Sequence, residues 1–265
     1  MDNTFIDLTD DKYTPDPDQT YIFAGFKYKN GMFVANYEIY LPNKGDSIVL
    51  NDGNVYKVLK MDGTQAFVFS MSTSDPIYYN DVSMATPFGD KNGVSYCDSS
   101  ITKQIEQEWL PSIHDNYIEM YEAIVLKDMY QNMFNYNEGE PGGEYIAKGT
   151  SGNDESNKYY ITGGYSSVMF KKPAFILDVQ DILDYLGYDV NSDNNILSYS
   201  AINDLISVDT DLWLRNSCST DDTHAWYIEY DDLSLKTAKY DDECKGYRIA
   251  FIIDLSKEGV YYYID

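Results

Sequence analysis

The segment from residue 54 to residue 70 has the sequence NVYKVLKMDGTQAFVFS, and it decides the fold class. Runs rich in β-branched and aromatic residues stand on both sides of Asp62-Gly63, which is the pattern of two strands joined by a tight turn. Asp-Gly is a favoured hairpin dipeptide because the turn needs backbone angles that glycine adopts freely. The segment therefore predicts an antiparallel hairpin.

Further strands are predicted before and after this hairpin. A first hairpin turns at Asn30-Gly31, and a short strand covers residues 45–50. The last third of the chain adds strands at residues 212–215, 225–230, 233–237, 247–253 and 260–264. The strand at 247–253 is the most apolar and is predicted to be central, whereas 260–264 is predicted to be an edge.

Helices are predicted only in the middle of the chain. Ile101, Ile105 and Trp109 recur every four residues after the capping candidates Ser99 and Ser100, and Pro111 is expected to end this helix. A second short helix continues from residue 113 to residue 124, and a third has Asp178 as its N-cap. Strands at both ends with helices between them predict an α+β domain.

The charge of the chain excludes several classes of partner. Its 265 residues include 44 Asp or Glu and 19 Lys or Arg, which gives a formal charge of −25. Such a surface repels phosphate backbones and anionic lipids, so we expect neither nucleic-acid binding nor membrane insertion. The 27 tyrosines can serve a core or an exposed binding face.

The chain is predicted to comprise an attachment region and one main domain. Residues 1–20 are polar and contain Pro15 and Pro17, which is typical of an extended arm. The acidic start is unlike a secretion signal, so we expect none. We assign residues 1–44 to an N-terminal arm and hairpin for attachment or oligomerisation, and residues 45–265 to the main domain. The long polar segment 137–157 is predicted to be a surface loop.

Three segments near the C-terminus carry a family resemblance. Residues 212–217 (LWLRNS), 225–227 (AWY) and 246–251 (GYRIAF) resemble the "WLRS … AWYV … G … GVRPAF" ending of an uncharacterised domain family of gut bacteria and their phages. Weaker agreement at residues 45–48, 56–59, 94–100 and 173–178 extends the resemblance over about residues 45–255. The chain departs from the family at Arg248-Ile249-Ala250, where Val-Arg-Pro is usual.

The resemblance implies a fold and a surface for binding. Related endings occur in C-type-lectin-like domains, including the variable proteins of diversity-generating retroelements. The implied fold is a C-type-lectin-like α+β domain with antiparallel strands and two to three helices. It requires Trp213 and Trp226 to be buried, with Arg215 and Arg248 on the polar side of their strands.

A small polar loop between two predicted strands is the candidate ligand-binding site. In C-type-lectin-like domains such loops and the neighbouring strand faces form the ligand surface, and an ordinary solvated turn is the alternative. The candidate residues are Asn216, Ser217, Ser219, Thr220, Asp221, Asp222, His224, Tyr227, Glu229, Tyr230 and Tyr240.

Calcium is the one metal that the sequence suggests. Asp189, Asn191 and Asp193 place oxygen side chains at alternate positions, as at the start of a calcium-binding loop. Asn194 stands where such loops have glycine, and Ser200 where they have a bidentate glutamate. We therefore predict no cofactor and keep calcium as the alternative.

Enzymatic chemistry is not indicated. His114 and His224 lack an evident nucleophile or metal partner, and no Gly-x-Ser-x-Gly motif occurs. Cys97, Cys218 and Cys244 form neither a zinc pattern nor a disulfide framework, although a contact of Cys218 with Cys244 stays open. We predict a protein that is not an enzyme, with an unrecognised hydrolase as the rival.

These observations lead to one expected function and one alternative. The expectation is a non-enzymatic recognition or adhesion module of a phage virion, such as a tail or head fibre protein. Its partners would be a host-surface glycan or protein, other virion proteins and further copies of the chain. The alternative is an acidic interaction or inhibitor protein, encoded by a phage and located in the cytoplasm of the host cell.

Overall fold

The protein is a mixed α+β fold with mostly antiparallel sheets and few helices. The computed structural model describes residues 21–29, 32–39, 41–79, 96–134, 158–160, 166–186, 196–198, 210–218, 224–230, 235–241, 244–257, 259–260 and 262–264. The loop segment 137–157 and the calcium candidates Asp189, Asn191 and Asp193 lie outside these residues.

A six-stranded sheet forms the largest unit, with the strand order β10-β16-β5-β4-β3-β17. Its strands are β3 (Ser47–Val49), β4 (Val55–Asp62), β5 (Gln65–Ser70), β10 (Ala174–Phe175), β16 (Ala250–Asp254) and β17 (Tyr263–Ile264). All its neighbours are antiparallel. The predicted hairpin is confirmed as β4–β5, with Gly63 at φ +61° in its turn.

A five-stranded sheet has the order β14-β13-β12-β7-β9. Its strands are β7 (Asp128–Phe134), β9 (Ser166–Lys171), β12 (Leu212–Cys218), β13 (His224–Ile228) and β14 (Leu235–Lys239). The β12–β7 pair is parallel, and the other pairs are antiparallel. Sequence analysis predicted β12, β13 and β14.

Three two-stranded sheets complete the described strands. They are β1 (Tyr21–Lys29) with β2 (Met32–Ile39), β6 (Ile77–Tyr78) with β15 (Cys244–Lys245), and β8 (Lys158–Tyr160) with β11 (Ile196–Ser198). The β1–β2 pair confirms the predicted first hairpin, because Lys29 is opposite Met32.

One helical segment runs through three conformations. It comprises α1 (Ser100–Gln104), a π-helix (Ile105–Trp109) and α2 (Leu110–Asn116). Ser99 caps α1, and its side chain accepts a bond from the backbone N–H of Thr102. The prediction that Pro111 ends the helix is wrong. Pro111 has no backbone N–H to donate to the preceding turn. The wider π turn just before it lets the helix continue without that bond.

Two shorter helices follow. They are α3 (Ile118–Ala123) and α4 (Val179–Leu186). Asp178 is confirmed as the N-cap of α4, since its Oδ1 accepts a bond from the backbone N–H of Gln180 at 2.7 Å. No helix in the described part of the chain is both long enough and apolar enough to cross a bilayer.

The core lies where both sheets meet the helices. Trp213, Phe251 and Tyr56 are among its largest fully buried side chains. The backbone N–H of Trp213 donates to the carbonyl of Gly246 at 2.9 Å, and this bond ties β12 to the chain leading into β16. The predicted burial of Trp213 and Trp226 is confirmed, at 1% and 2% exposed.

Candidate functional site

Arg215 lies in the core, which corrects its expected place on the polar side of the strand. It is 2% exposed and forms ion pairs with Asp181 and, at 3.6 Å, with Asp178. Its Nη1 also donates to the carbonyl of Ile176 at 2.7 Å. The two carboxylates outweigh desolvation and raise the guanidinium pKa, so the charge is retained in the core.

Arg248 is likewise buried, at 4% exposed, rather than on the polar side. Its Nε donates to Thr73 Oγ1 at 2.8 Å, and its guanidinium lies 5.8 Å from the centre of the Phe69 ring. A long cationic side chain can be buried where hydrogen-bond acceptors and aromatic rings stabilise its charge. Such tertiary contacts cannot be predicted from the pattern of polar and apolar residues along a strand. Both arginines are therefore held in place by contacts within the fold.

Two of the predicted ligand-binding residues, Asn216 in the loop and Tyr227 beside it, are buried in the core instead of lying on the surface. Asn216 is 0% exposed, and its Oδ1 accepts a bond from the backbone N–H of Val179 at 2.8 Å. Tyr227 is 7% exposed, and its ring packs 3.7 Å below Lys245 Nζ. The strand β12 continues to Cys218, so Asn216 is a strand residue that anchors α4.

The other predicted ligand residues are spread over different environments. Tyr230 is 47% exposed, whereas His224, Glu229 and Tyr240 are partly buried. Ser217 lies in β12, and its side chain is not described. The remaining four, Ser219, Thr220, Asp221 and Asp222, lie outside the described residues. The described members of this set thus differ in exposure, from the buried Asn216 to the exposed Tyr230.

The described segments also contain residues that could ligate a metal or carry thiol chemistry. Within the described segments, no group of three or more His, Cys, Asp or Glu side chains is arranged to hold a metal ion. Within the described residues neither Cys97 nor Cys244 forms a disulfide. His114 Nδ1 lies 2.9 Å from Asp115 Oδ1, and both side chains are exposed.

A cleft of about 730 Å³ lies between β4–β5, the start of β7 and α4. Its floor is a row of opposed residues across three strands, since Lys60 pairs with Phe67 and Phe67 pairs with Ile252. Opposed residues share one face of a sheet, so all three side chains point into the cleft. The volume is within the range of small-molecule sites.

A β-bulge makes this floor. The register of β4 with β5 shifts between Val58 and Lys60, which leaves Leu59 as an extra residue. Leu59 and Lys60 consequently both line the cleft, although neighbours in a regular strand would face opposite ways. The bulge thus places an apolar side chain and a cation beside each other.

The walls of the cleft carry most of its charge. Lys127 and Asp62 form an ion pair of 3.1 Å at one side. At the other side α4 contributes Asp181, Asp184 and Tyr185, and Lys44 Nζ lies 5.0 Å from the centre of the Tyr185 ring. Gly45 approaches the same tyrosine, and its φ of +96° explains why glycine occupies that turn.

The charge in the cleft differs from that of the chain. The lining contains the four cations Lys44, Lys60, Lys127 and Arg215, together with the four carboxylates of Asp62, Asp128, Asp181 and Asp184. The cleft is thus locally neutral in a protein of charge −25. Arg215 and Lys127 are held in ion pairs, which leaves Lys44 and Lys60 to receive an external anion.

The wall of the cleft also contains a hydrogen-bond acceptor that a ligand could use, on Gln180. The Oε1 atom of Gln180 is buried and has no hydrogen-bond partner among the described residues. Its Nε2 donates to Asp184 Oδ1 at 2.7 Å, which fixes the orientation of the amide. A buried amide oxygen without a partner is costly, so a ligand donor at this point would be favourable.

Sequence reasoning missed the cleft. Its lysines at positions 44, 60 and 127 are far apart along the chain, and each is an ordinary surface residue when considered alone. The bulge at Leu59 is not predicted by the sequence, because adjacent apolar residues such as Val58 and Leu59 also occur in regular strands. The one usable signal is Gly45, since glycine is common in turns, but sequence analysis assigned residues 45–50 to a strand.

Comparisons with known proteins add no relative. No family model, no curated protein and no solved structure matches the chain.

Proposed function

We propose that the protein is a non-enzymatic recognition module that binds a ligand in the cleft between β4–β5, β7 and α4. The observation that carries the proposal is the pair of lysines, Lys44 and Lys60, beside an apolar floor in a strongly acidic chain. The ligand would present an anionic group to the lysines and an apolar face to Phe67 and Ile252.

The ligand chemistry fits a surface glycan that carries a carboxylate, such as one containing a uronic acid. The carboxylate would lie against Lys44 and Lys60, and a hydroxyl would donate to the buried Oε1 of Gln180. Sugars also have apolar C–H faces that pack on rings such as Phe67. The repulsive charge of −25 would select against highly anionic ligands and favour those with a single carboxylate.

The wider biological role follows from the family resemblance. We propose a C-type-lectin-like domain in a phage virion protein that contacts the host surface. Antiparallel sheets, the helical segments between them and the pairing of β17 with β3 near the two ends of the domain support this fold. Residues 1–44 would attach the domain to the particle or to further copies of the chain.

The ligand proposal is tested with matched pairs of probes. Methyl glucuronide is compared with methyl glucoside, and benzoate with benzamide, by isothermal titration and by thermal shift. We expect the acidic member of a pair to bind at least about tenfold more tightly, which is about 1.4 kcal/mol. The variant with Lys44→Gln and Lys60→Gln should lose this difference, whereas the exposed control Lys257→Gln should keep it.

Two results would contradict the proposal. Equal binding of the acidic and neutral members would remove the role of the lysines. Acid-selective binding that survives the double variant would place the anion site elsewhere on the surface.

The virion assignment has its own experiment. Mass spectrometry and antibody labelling of purified particles should find the protein on the particle exterior. Its absence from particles would refute the virion role without bearing on the cleft.

The charge of −25 favours one second candidate, an acidic interaction or inhibitor protein that covers a basic site on a host enzyme. Such binding would weaken steeply between low and moderate salt because it depends on many exposed charges. Binding of a singly charged ligand in the cleft would depend on salt much less. Pull-down from lysate at two salt concentrations, with the partners identified, separates the two candidates.

A further inference from the structure

A second groove of about 390 Å³ lies on the other face of the six-stranded sheet. The Phe251 ring is 5.3 Å from the Trp109 ring on this face, whereas the next residue, Ile252, lines the cleft. Side chains of neighbouring strand residues point to opposite faces, so the groove and the cleft are separate sites. The groove runs between the far end of the β4–β5 hairpin and the helical segment.

The helical segment presents a polar face to this groove. Gln104, Glu108 and Ser112 follow one another at intervals of four residues, and all three line the groove. The π-helix between Ile105 and Trp109 lies in the middle of this face, and Trp109 lines the groove beside Glu108. Single π turns inside helices occur frequently at functional sites.

Two hydrogen-bond donors in the groove have no partner among the described residues. Tyr247 is 5% exposed, so its ring is buried, and nothing in that part of the structure pairs with its hydroxyl. Its backbone N–H is used, since it donates to Ser74 Oγ at 2.9 Å. The indole N–H of Trp109 is likewise unpaired within the described segments.

The phenol of Tyr247 stays a donor at all physiological pH values. Burial, and secondly the negative charge of Glu108, raise the pKa of Tyr247 to about 12. Glu108 and Tyr247 both line the groove. A donor and an acceptor therefore converge on the same space.

Acceptors surround these donors, and cations do not. Glu108 Oε2 accepts a bond of 3.1 Å from Gln104 Nε2, which leaves its second oxygen for a ligand. Exposed hydroxyls of Ser72 and Ser112 can both donate and accept. None of the described residues that line this groove is a lysine or arginine, and the buried Arg248 donates to Thr73 Oγ1.

We propose that this groove is a binding site for a neutral sugar ring. Vicinal hydroxyls match the mixture of donors and acceptors, since each hydroxyl donates once and accepts from a neighbour. The C–H face of the ring would pack against Trp109. An anion is disfavoured by Glu108 and by the charge of the chain, so the ligand class differs from that of the cleft. The site does not depend on the function proposed for the cleft.

The test uses the full chain and the indole N–H resonances of its three tryptophans. Trp213 and Trp226 are buried, so the Trp109 signal, assigned with Trp109→Phe, reports on the groove. The probes are methyl glucoside, methyl galactoside and methyl N-acetylglucosaminide with their trisaccharides, added to about 10 mM, where a site with a Kd near 1 mM is filled. We expect a saturable shift of the Trp109 signal alone.

Three variants decide whether the groove is responsible. Tyr247→Phe removes only an unpaired hydroxyl, and Glu108→Gln removes only the charge, so both should fold and each should weaken binding about 3–10-fold. Glu122→Gln, an exposed change on α3, should leave the affinity unaltered. Affinity unchanged in both Tyr247→Phe and Glu108→Gln would overturn the proposal, as would the absence of any shift. A shift with choline but with no saccharide would assign the groove to cations and overturn it too.

Discussion

At the scale of single residues, Arg215 belongs to a segment that carried the family resemblance, and its side chain has a structural role in the core. It receives contacts from two carboxylates, one carbonyl and two aromatic rings, since its guanidinium also lies 5.8 Å from the Phe170 ring and 5.4 Å from the Phe175 ring. The side chain connects β12 to the start of α4. It thereby holds in place the helix that forms one wall of the cleft.

Replacing this arginine should destabilise the protein strongly. Arg215→Met keeps the bulk but leaves Asp178 and Asp181 without a cation, and breaking a buried pair in this way costs about 3–5 kcal/mol. The measurement is urea unfolding of the variant and the natural protein. Lys172→Met, which breaks an ion pair with the partly exposed Glu106, is the control and should cost less than about 1 kcal/mol. Equal losses in both variants would show that Arg215 is not a structural centre.

At the scale of elements, the sequence predicted what local physics determines. The hairpins β1–β2 and β4–β5 and the caps Ser99 and Asp178 all formed as expected. These features depend on residues within a few positions of one another. The continuation of the helix past Pro111 could not be predicted, because a π turn is stabilised by packing of the whole segment.

The candidate site was less predictable than the elements. Asn216 and Tyr227 were expected on a ligand surface, but tertiary contacts with α4 and Lys245 buried them. The cleft depends on a bulge and on three lysines from distant parts of the chain. Such a convergence exists only once the fold is formed.

Gly246 tests the junction between the two sheets. A Cβ at this position would lie 2.5 Å from Thr73 Cγ2 and 3.1 Å from Thr210 Cγ2. Gly246→Ala should therefore destabilise the protein by about 1–3 kcal/mol in urea unfolding. Thr73→Ser removes the closer methyl but keeps the hydroxyl that Arg248 uses, so the double variant should recover part of the loss. Absence of any recovery would mean that the contact with Thr73 is not the cause.

At the scale of the whole molecule, buried tyrosines make stability sensitive to alkaline pH. Burial is the largest cause that raises the pKa of Tyr56, Tyr79, Tyr96, Tyr247 and Tyr262 above the usual value of 10.0. The folded state keeps these phenols protonated while the unfolded state releases its protons. The stabilisation is therefore complete below pH 10 and is lost as the pH rises above it.

A single variant isolates this effect. The pKa of Tyr262 is raised to about 12 by burial alone. Between pH about 10 and 12, the free energy of unfolding of the natural protein should fall more steeply than that of Tyr262→Phe, by up to about 1.4 kcal/mol per pH unit. Guanidinium unfolding across this range gives both slopes. Parallel slopes would show that Tyr262 titrates normally in the folded protein.

At the scale of the whole molecule, the cleft is a locally neutral site with two exposed lysines, Lys44 and Lys60, in a chain of charge −25. The most direct measurement is lysine acetylation, followed by mass spectrometry, with and without methyl glucuronide at saturation. The account predicts that Lys44 and Lys60 become protected while Lys257 and Lys103 react as before. Unchanged reactivity of Lys44 and Lys60 with the ligand bound would contradict it.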